Sequence, residues 1–264
     1  MAAEGEVAAW LAAATSVGVL TGAGVSTASG IPDYRGPQGV WTRDPQAART
    51  STFRDYVADP DIRRRAWQLR KAHAVWTAAP NDAHRAFVEL ERAGKLAGII
   101  TQNIDGLHQR AGSSPDLVIE LHGTIWRAQC LSCGDETPMR DQLARVTEAV
   151  PDPACAICGG IVKSATISFG QALDREVLGR AVDVARSCDV FVAVGSSLTV
   201  QPAAGLCRVA REAGARLVVV NGERTGYDDL ADAVLRGRTE EILPRLARDL
   251  RTAIRLKRVG DTGT

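Results

Sequence analysis

Net charge and long apolar runs are both nearly missing from this chain, and each lack closes a class of function. Lysine and arginine number 32 against 31 aspartates and glutamates, a formal net charge of +1 over 264 residues. That balance gives no basis for broad attraction to nucleic acid or to a membrane surface, and neither partner is expected. The basic residues that do cluster, Arg63, Arg64, Arg65, Arg70 and Lys71, read as the wet face of a helix rather than a polyanion site. Residues 7–32 have no charged side chain. They do not make a signal peptide or a membrane span, because Glu4 and Glu6 stand where a signal needs positive charge and the stretch is weakly apolar. No other run is long enough to cross a bilayer, so a soluble, cytoplasmic protein is expected.

The densest chemistry lies in Leu20-Thr-Gly-Ala-Gly-Val-Ser-Thr-Ala-Ser-Gly-Ile-Pro-Asp-Tyr-Arg35. Residues 17–20 read as a buried strand. Gly22, Ala23 and Gly24 leave no bulk after it, so main-chain N–H groups could approach a pyrophosphate at a helix N-terminus, with Ser26 adding a hydroxyl donor. For Gly-x-Gly alone, a tight β–α turn is the alternative. A hydride-transfer dehydrogenase would carry an acidic strand end about 20 residues further on. Here residues 30–45 hold three prolines and three glycines, so Asp44 falls in a loop and that register fails. Asp33 and Arg35 would then sit in an ordered loop beside a cofactor.

Residues 59–94 read as two helices, with Asn81 as an N-cap after Pro80. A strand at 96–101 ends in Gln102-Asn103-Ile-Asp105, polar groups placed where open α/β sheets bind ligands, or else an Asx-capped turn. His108 reads as structural. A strand at 117–121 leads to His122-Gly-Thr124, and a histidine there is either a general base or a hydrogen-bonded structural residue. Cys130-Leu-Ser-Cys133 and Cys155-Ala-Ile-Cys158 match a closed tetrahedral zinc site, with a redox pair or disulfides as rivals. Cys188 and Cys207 read as buried bystanders. Further on, a helix at 174–187, a strand at 189–194 into Gly195-Ser196-Ser197, a helix at 202–213, a strand at 216–220 into Asn221-Gly222 and a closing helix at 239–256 alternate. Alternation of this kind predicts a doubly wound parallel α/β sheet.

In this order the motifs resemble the sirtuins, NAD-dependent protein deacylases, along nearly the whole chain: Gly22-Ala-Gly-Val-Ser26, Ser29-Gly-Ile-Pro-Asp-Tyr-Arg35, Gln102 to Asp105, His122-Gly123, the four cysteines, Gly195-Ser-Ser197 and Val220-Asn221. Arg35-Gly-Pro-Gln-Gly-Val-Trp41-Thr42 further resembles the bacterial-type branch with a short, tryptophan-bearing cofactor loop. The resemblance implies a Rossmann-like domain (1–128 and 168–264) interrupted by a small zinc-ribbon domain (129–167), with 52–80 as its helical part. It implies NAD and structural Zn²⁺ as cofactors and acylated-lysine proteins or peptides as substrates. Nicotinamide would leave, the acyl-lysine oxygen would take the anomeric carbon, and His122 would act as general base on the ribose hydroxyls. Asn103 and Asp105, with Asp33 and Arg35, would hold the nicotinamide pocket and ribose, and Gln102 would touch the ribose. The Gly22-Ala23-Gly24 turn, Ser26, Ser196 and Ser197 would take phosphates, Asn221 the adenosine ribose, and Val234 would lie near adenine; Tyr34, Trp41, Gly195 and Gly222 complete the cofactor set.

On the substrate side, sirtuins present a Phe-Gly-Glu stretch that pairs with the peptide as an added strand. Phe169 and Gly170 are retained here, but Ser164, Ala165 and Gln171 replace the family's proline, aspartate and glutamate. Main-chain pairing survives such changes. Family members that remove succinyl groups carry Tyr-x-x-Arg on a helix; here the positions are Trp67 and Arg70. Arg70 could hold a carboxylate, a core tryptophan and a surface arginine being the alternative, and neutral acyl groups, acetyl first, are expected. The departures near Phe169 leave mono-ADP-ribosyl transfer as a second enzyme reading. A non-catalytic NAD-sensing zinc-ribbon protein is a third, against which the retained His122, Asn103 and Asp105 argue.

Overall fold

A computed structural model describes residues 4–34, 36, 39–44 and 46–261, with side chains as far as residue 255. Its strands are β1 (Val17–Thr21), β2 (Leu96–Thr101), β3 (Val118–Glu120), β4 (Gly123–Cys130), β5 (Glu136–Pro138), β6 (Val162–Thr166), β7 (Val190–Val194), β8 (Arg216–Asn221) and β9 (Ala233–Arg236). Six of them make one sheet in the order β3-β2-β1-β7-β8-β9, every pair parallel. β1 and β7 are buried at every residue, and their apolar sequence, broken only by Thr21 at the end of β1, is what a strand covered on both faces requires. Helices Glu4–Ala13, Asp82–Arg92 and Thr239–Asp261 cover one face, with Val7, Phe87 and Leu246 in one apolar cluster. Helices Arg175–Ser187 and Leu206–Glu212 cover the other, around Ala181, Phe191 and Leu206. This is the expected doubly wound, Rossmann-like arrangement. Strand order reverses between β1 and β7, which opens a crevice at the C-terminal ends of the central strands.

The second sheet is small and antiparallel, in the order β5-β4-β6. Helix Pro60–Lys71 packs on it: Trp67 is fully buried with Ala128, Met139 and Val162, and the Tyr56 hydroxyl donates to the carbonyl of Val162 at 2.8 Å. The chain enters this sheet directly from His122, because β4 begins at Gly123, ahead of the boundary the sequence suggests at 129. Gly123 has φ +69°, and a Cβ there would lie 2.1 Å from the carbonyl oxygen of Ala165, so only glycine makes this passage.

Several elements depart from expectation. Directly after β1 stand two single-turn 3₁₀ segments, Ala23–Val25 and Thr27–Ser29, in place of an α-helix. Glycine, serine and threonine are weak helix formers, and Gly30 at φ +83° ends the second turn. Part of the predicted loop is helical, as Val40–Arg43, followed by Ala47–Thr50 and Phe53–Ala58, each too short to show a helical period. β9, four residues long, is not foreseen for the same reason. It carries Val234 into the core under the sheet. The helix expected at 202–213 opens as a 3₁₀ turn, Ala203–Gly205, before Leu206–Glu212.

Candidate active site

At the crevice, the loops after β1 and β7 touch backbone to backbone. Gly22 N donates to the Val194 carbonyl at 3.0 Å and Gly24 N to the Gly195 carbonyl at 2.8 Å. A Cβ on Gly22 would lie 2.8 Å from the Gly195 oxygen, one on Gly24 2.9 Å from the Gly195 Cα, and one on Gly195, at φ +59°, 2.6 Å from Val25 N. The glycines are thus required first by the contact of two loops. The same contact leaves a floor of main chain, with Ser196 and Ser197 at its edge, that suits phosphate oxygens.

The strand end after β2 supplies the polar wall. Gln102 Nε2 donates to Ser196 Oγ at 3.0 Å. Asn103 Nδ2 donates to the Gly22 carbonyl and to Ser26 Oγ, both at 3.1 Å, which leaves its carboxamide oxygen as the remaining acceptor. Ser26 and Asp105 do not line the cavity. Both are buried; Ser26 Oγ donates to Asp105 Oδ2 at 2.7 Å, and the other carboxylate oxygen accepts from Leu107 N at 2.9 Å. Burial pushes the Asp105 carboxyl up, against the bonds from Leu107 and Ser26 that hold it down. Asp105 braces Asn103 through Ser26. The Asx turn and the site are one structure.

His122 lies half-buried between the two sheets and lines the cavity. Its Nδ1–H donates to the carbonyl oxygen of Gln102 at 2.9 Å. A carbonyl can only accept, so the neutral ring has its proton on Nδ1 and a lone pair on Nε2. Burial lowers the imidazole pKa below its ordinary value, opposed by the Gln102 carbonyl. A neutral imidazole with a free Nε2 is the form that accepts a proton.

The cavity itself measures about 1290 Å³, beyond the roughly 300–1,000 Å³ of a site for one small ligand, and so has room for two reactants. Gly22, Ala23, Gly24, Asp33, Tyr34, Trp41, Gln102, Asn103, His122, Gly195, Ser196, Ser197, Asn221 and Gly222 from the predicted set all line it. Val234 does not: it is packed in the core, and Gly237, Arg238 and Thr239 form the wall beyond Asn221 instead. Arg35 lies outside the described residues. Asp33 Oδ1 accepts from Gly36 N at 2.9 Å, holding the turn of the cofactor loop. Trp41 stands between Tyr34 and Phe169, with ring centroids 4.9 and 5.3 Å away. Phe169 and Gly170 line the cavity, but the main chain of Phe169 is already paired: its N–H donates to Ser51 and its carbonyl accepts from Phe53, at 2.8 and 2.9 Å. Phe169 offers its ring, and an added peptide strand must pair elsewhere along this segment.

Comparison with known proteins agrees with this geometry. The model of the Sir2 family matches residues 22–202. The chain belongs to the Sir2 family. It is 55% identical to NAD-dependent protein deacetylase 2 of Streptomyces coelicolor over 89% of this chain and 97% of that one. NAD-dependent protein deacetylase 1 of Pyrobaculum aerophilum is 45% identical over 93% and 94% of the two chains. Among solved structures, a Sir2 homolog–NAD complex superposes with a TM-score of 0.84 at 35% identity, covering 94% of each chain, and a Sir2–p53 peptide–NAD⁺ complex with 0.82 at 32%, covering 92% of this chain and 97% of that one.

This Sir2 chain holds Cys130, Cys133, Cys155 and Cys158 with all four Sγ atoms within 4.8 Å of one another. Cys130 and Cys158 are 3.5 Å apart and Cys133 and Cys155 3.7 Å, close to the ~3.8 Å edge of a tetrahedron with Zn–S bonds of about 2.3 Å. Disulfides are absent from the described residues, and the set fits a closed Zn²⁺ site. Cys188 and Cys207 are buried apart from it.

The basic cluster resolves residue by residue. Arg63 pairs with Asp152 at 2.6 Å, Arg64 with Asp61, and Arg65 with Asp44 at 2.6 Å. Arg70 turns inward and lines the cavity, its Nε and Nη1 buried with no partner; it is not the surface arginine of the alternative reading, although Trp67 is a core residue. Burial lowers its pKa, and burial together with Arg70 takes the nearby Lys163 down to about 7. Thr21, Thr101 and His108, unassigned by motif, lie buried directly behind Gln102 and Asn103. Their signal in the sequence is that each of two apolar strands ends in a threonine.

Proposed function

We propose that this Sir2 chain is an NAD-dependent protein-lysine deacetylase, which moves the acetyl group of acetyl-lysine to ADP-ribose and releases nicotinamide. The observation that carries the reading is His122, held by the Gln102 carbonyl with Nε2 unprotonated, in one cavity with the Gly22 and Gly195 loops. NAD, when bound, supplies the ribose carbon that the acyl oxygen takes and the nicotinamide that leaves. His122 Nε2 draws a proton from a ribose hydroxyl. Asn103 presents its carboxamide oxygen beside Gln102, and the main chain at Gly22, Gly24 and Gly195 with Ser196 and Ser197 carries the phosphates. Asn221 and Gly222 hold the adenosine end. Asp33, Tyr34 and Trp41 form the loop over the nicotinamide side, and Asp105 acts through Ser26. Phe169 and Gly170 flank the acyl-lysine.

Acetyl-lysine in proteins or peptides is the substrate, as the names of the relatives and the peptide complex of a neighbour support. Two parts, the large sheet and the small sheet with residues 52–80, enclose the cleft. Among the described residues no helix is long and apolar enough to cross a membrane. A cytoplasmic location agrees with four cysteines suited to metal rather than to disulfides. The test is nicotinamide release from NAD with and without an acetyl-lysine peptide, the peptide followed by mass. Peptide-dependent release with loss of acetyl, absent in His122→Ala, is expected; gain of ADP-ribose on the peptide, or faster removal of succinyl through Arg70, would redirect the assignment.

A further inference from the structure

A buried histidine is linked to the base by a chain of hydrogen bonds that passes through a single peptide plane. β1 and β2 end in register at Thr21 and Thr101, and the Thr21 hydroxyl donates to Thr101 Oγ1 at 2.9 Å. Because that hydrogen is engaged, His108 Nε2, 3.0 Å from Thr21 Oγ1, is the donor there. Burial, with His84 beside it, keeps the His108 ring neutral. Thr101 Oγ1 also accepts the main-chain N–H of Asn103 at 3.1 Å. That N–H and the Gln102 carbonyl belong to one planar amide. The carbonyl is the acceptor for His122 Nδ1 at 2.9 Å.

We propose that Thr101 is a positioning residue for His122: its hydroxyl, held by Thr21, which His108 holds in turn, fixes the peptide between Gln102 and Asn103 and so the orientation and proton placement of the base. The role in catalysis rests on the deacetylase reading; the link to the imidazole does not. A peptide held only at its carbonyl can pivot, whereas one held at both carbonyl and N–H cannot. The N–H of Gln102 is itself tied to the Thr21 carbonyl at 3.0 Å, so both amides flanking Gln102 are anchored on the same two strand ends. Donation from the Asn103 N–H also polarises the Gln102 carbonyl and makes it a better acceptor. A better acceptor at Nδ1–H favours the protonated ring and raises the basicity of Nε2. Asp33, Tyr34, Tyr56, Arg70, His73, Lys163, Glu223, Arg238 and Glu240 are the other titratable groups lining the cavity, and none bonds to His122 among the described residues. The peptide is thus the specific influence on the ring.

Thr101→Val removes the acceptor at nearly constant volume, and Thr101→Ser keeps it. The chain has four histidines, so NMR can follow the His122 ring in protein without NAD, assigned against His122→Gln. Thr101→Val is expected to lower the His122 titration midpoint by about 0.5–1 unit, three- to tenfold in proton affinity, and to lower kcat by about tenfold. Thr101→Ser restores both. Thr21→Val breaks the chain one step earlier, gives a smaller shift of the same sign, and serves where Thr101→Val does not fold. An unchanged His122 titration in either folded valine variant overturns the proposal. A shifted titration in a protein that deacetylates nothing would leave the link standing and remove the functional reading.

Discussion

The ring of Trp41 meets the ring of Phe169 edge-on, centroids 5.3 Å apart, and so joins the loop after β1 to the segment after β6. One residue belongs to the cofactor side by motif and the other to the substrate side. Trp41→Ala is therefore expected to raise KM for both NAD and the acetyl-lysine peptide. A double-mutant cycle with Phe169→Ala should show coupling of about 0.5–1.5 kcal/mol, the range for such aromatic pairs. Strict additivity would show that the contact does not couple the two ligands.

Acid should silence the enzyme along a limb set by His122. Burial holds its pKa below the ordinary 6.5, and in the proposed mechanism the neutral form is the base. kcat/KM then rises with pH through that lowered value and is level above it. A limb centred at or above 7 would mean that another group is being read. His122→Ala should cost about 10²–10⁴ in kcat.

Zinc is expected at one ion per chain by elemental analysis, and Cys155→Ala should lose it. The small sheet has its own apolar cluster, built with Trp67 and two of the cysteines, separate from the two clusters that flank the large sheet. Hydrogen exchange should therefore rise at residues 123–166 in this variant while β7 and β8 stay protected. Equal loss of protection in both sheets would show that they fold as a single unit.

Gly24→Ala places a methyl 2.9 Å from the Gly195 Cα, where backbone rather than a flexible side chain must move. A loss of about 1–3 kcal/mol in unfolding free energy is expected from overpacking of this kind, with NAD binding weakened in parallel. Denaturant titration and calorimetry measure the two. A stable variant that binds NAD normally would show that the loops can part without harm.

The parallel sheet is legible in the sequence because its central strands are unbroken apolar runs that end in polar residues; residues 96–101 are read to the residue. The cysteine pairs are legible from their spacing, and the glycines at 22 and 24 from the order of the motifs around them, Gly-x-Gly alone being equally a tight turn. What is not legible depends on partners distant in sequence. The bond from Ser26 to Asp105, through which Asp105 braces Asn103, joins residues 79 apart in sequence. Arg70 reads equally as a carboxylate holder or a surface charge until its helix is docked with that side toward the cavity. Val234 follows the motif order, yet a strand of four residues takes it into the core. Trp41 and Phe169 are each identifiable, but their contact is not.

The lock between Gly22 and Gly195 also sets a schedule for synthesis. β1 is the strand on which the sheet is centred, and β2 can pair with one of its edges early, but its other edge waits for β7. Well over a hundred residues, including the whole metal-binding insertion, must be translated in between. At ~5–20 residues per second that interval is on the order of ten to thirty seconds. Throughout it the nascent chain presents an open, apolar strand edge, the kind of surface that holdase chaperones cover and that neighbouring chains on a polysome can capture.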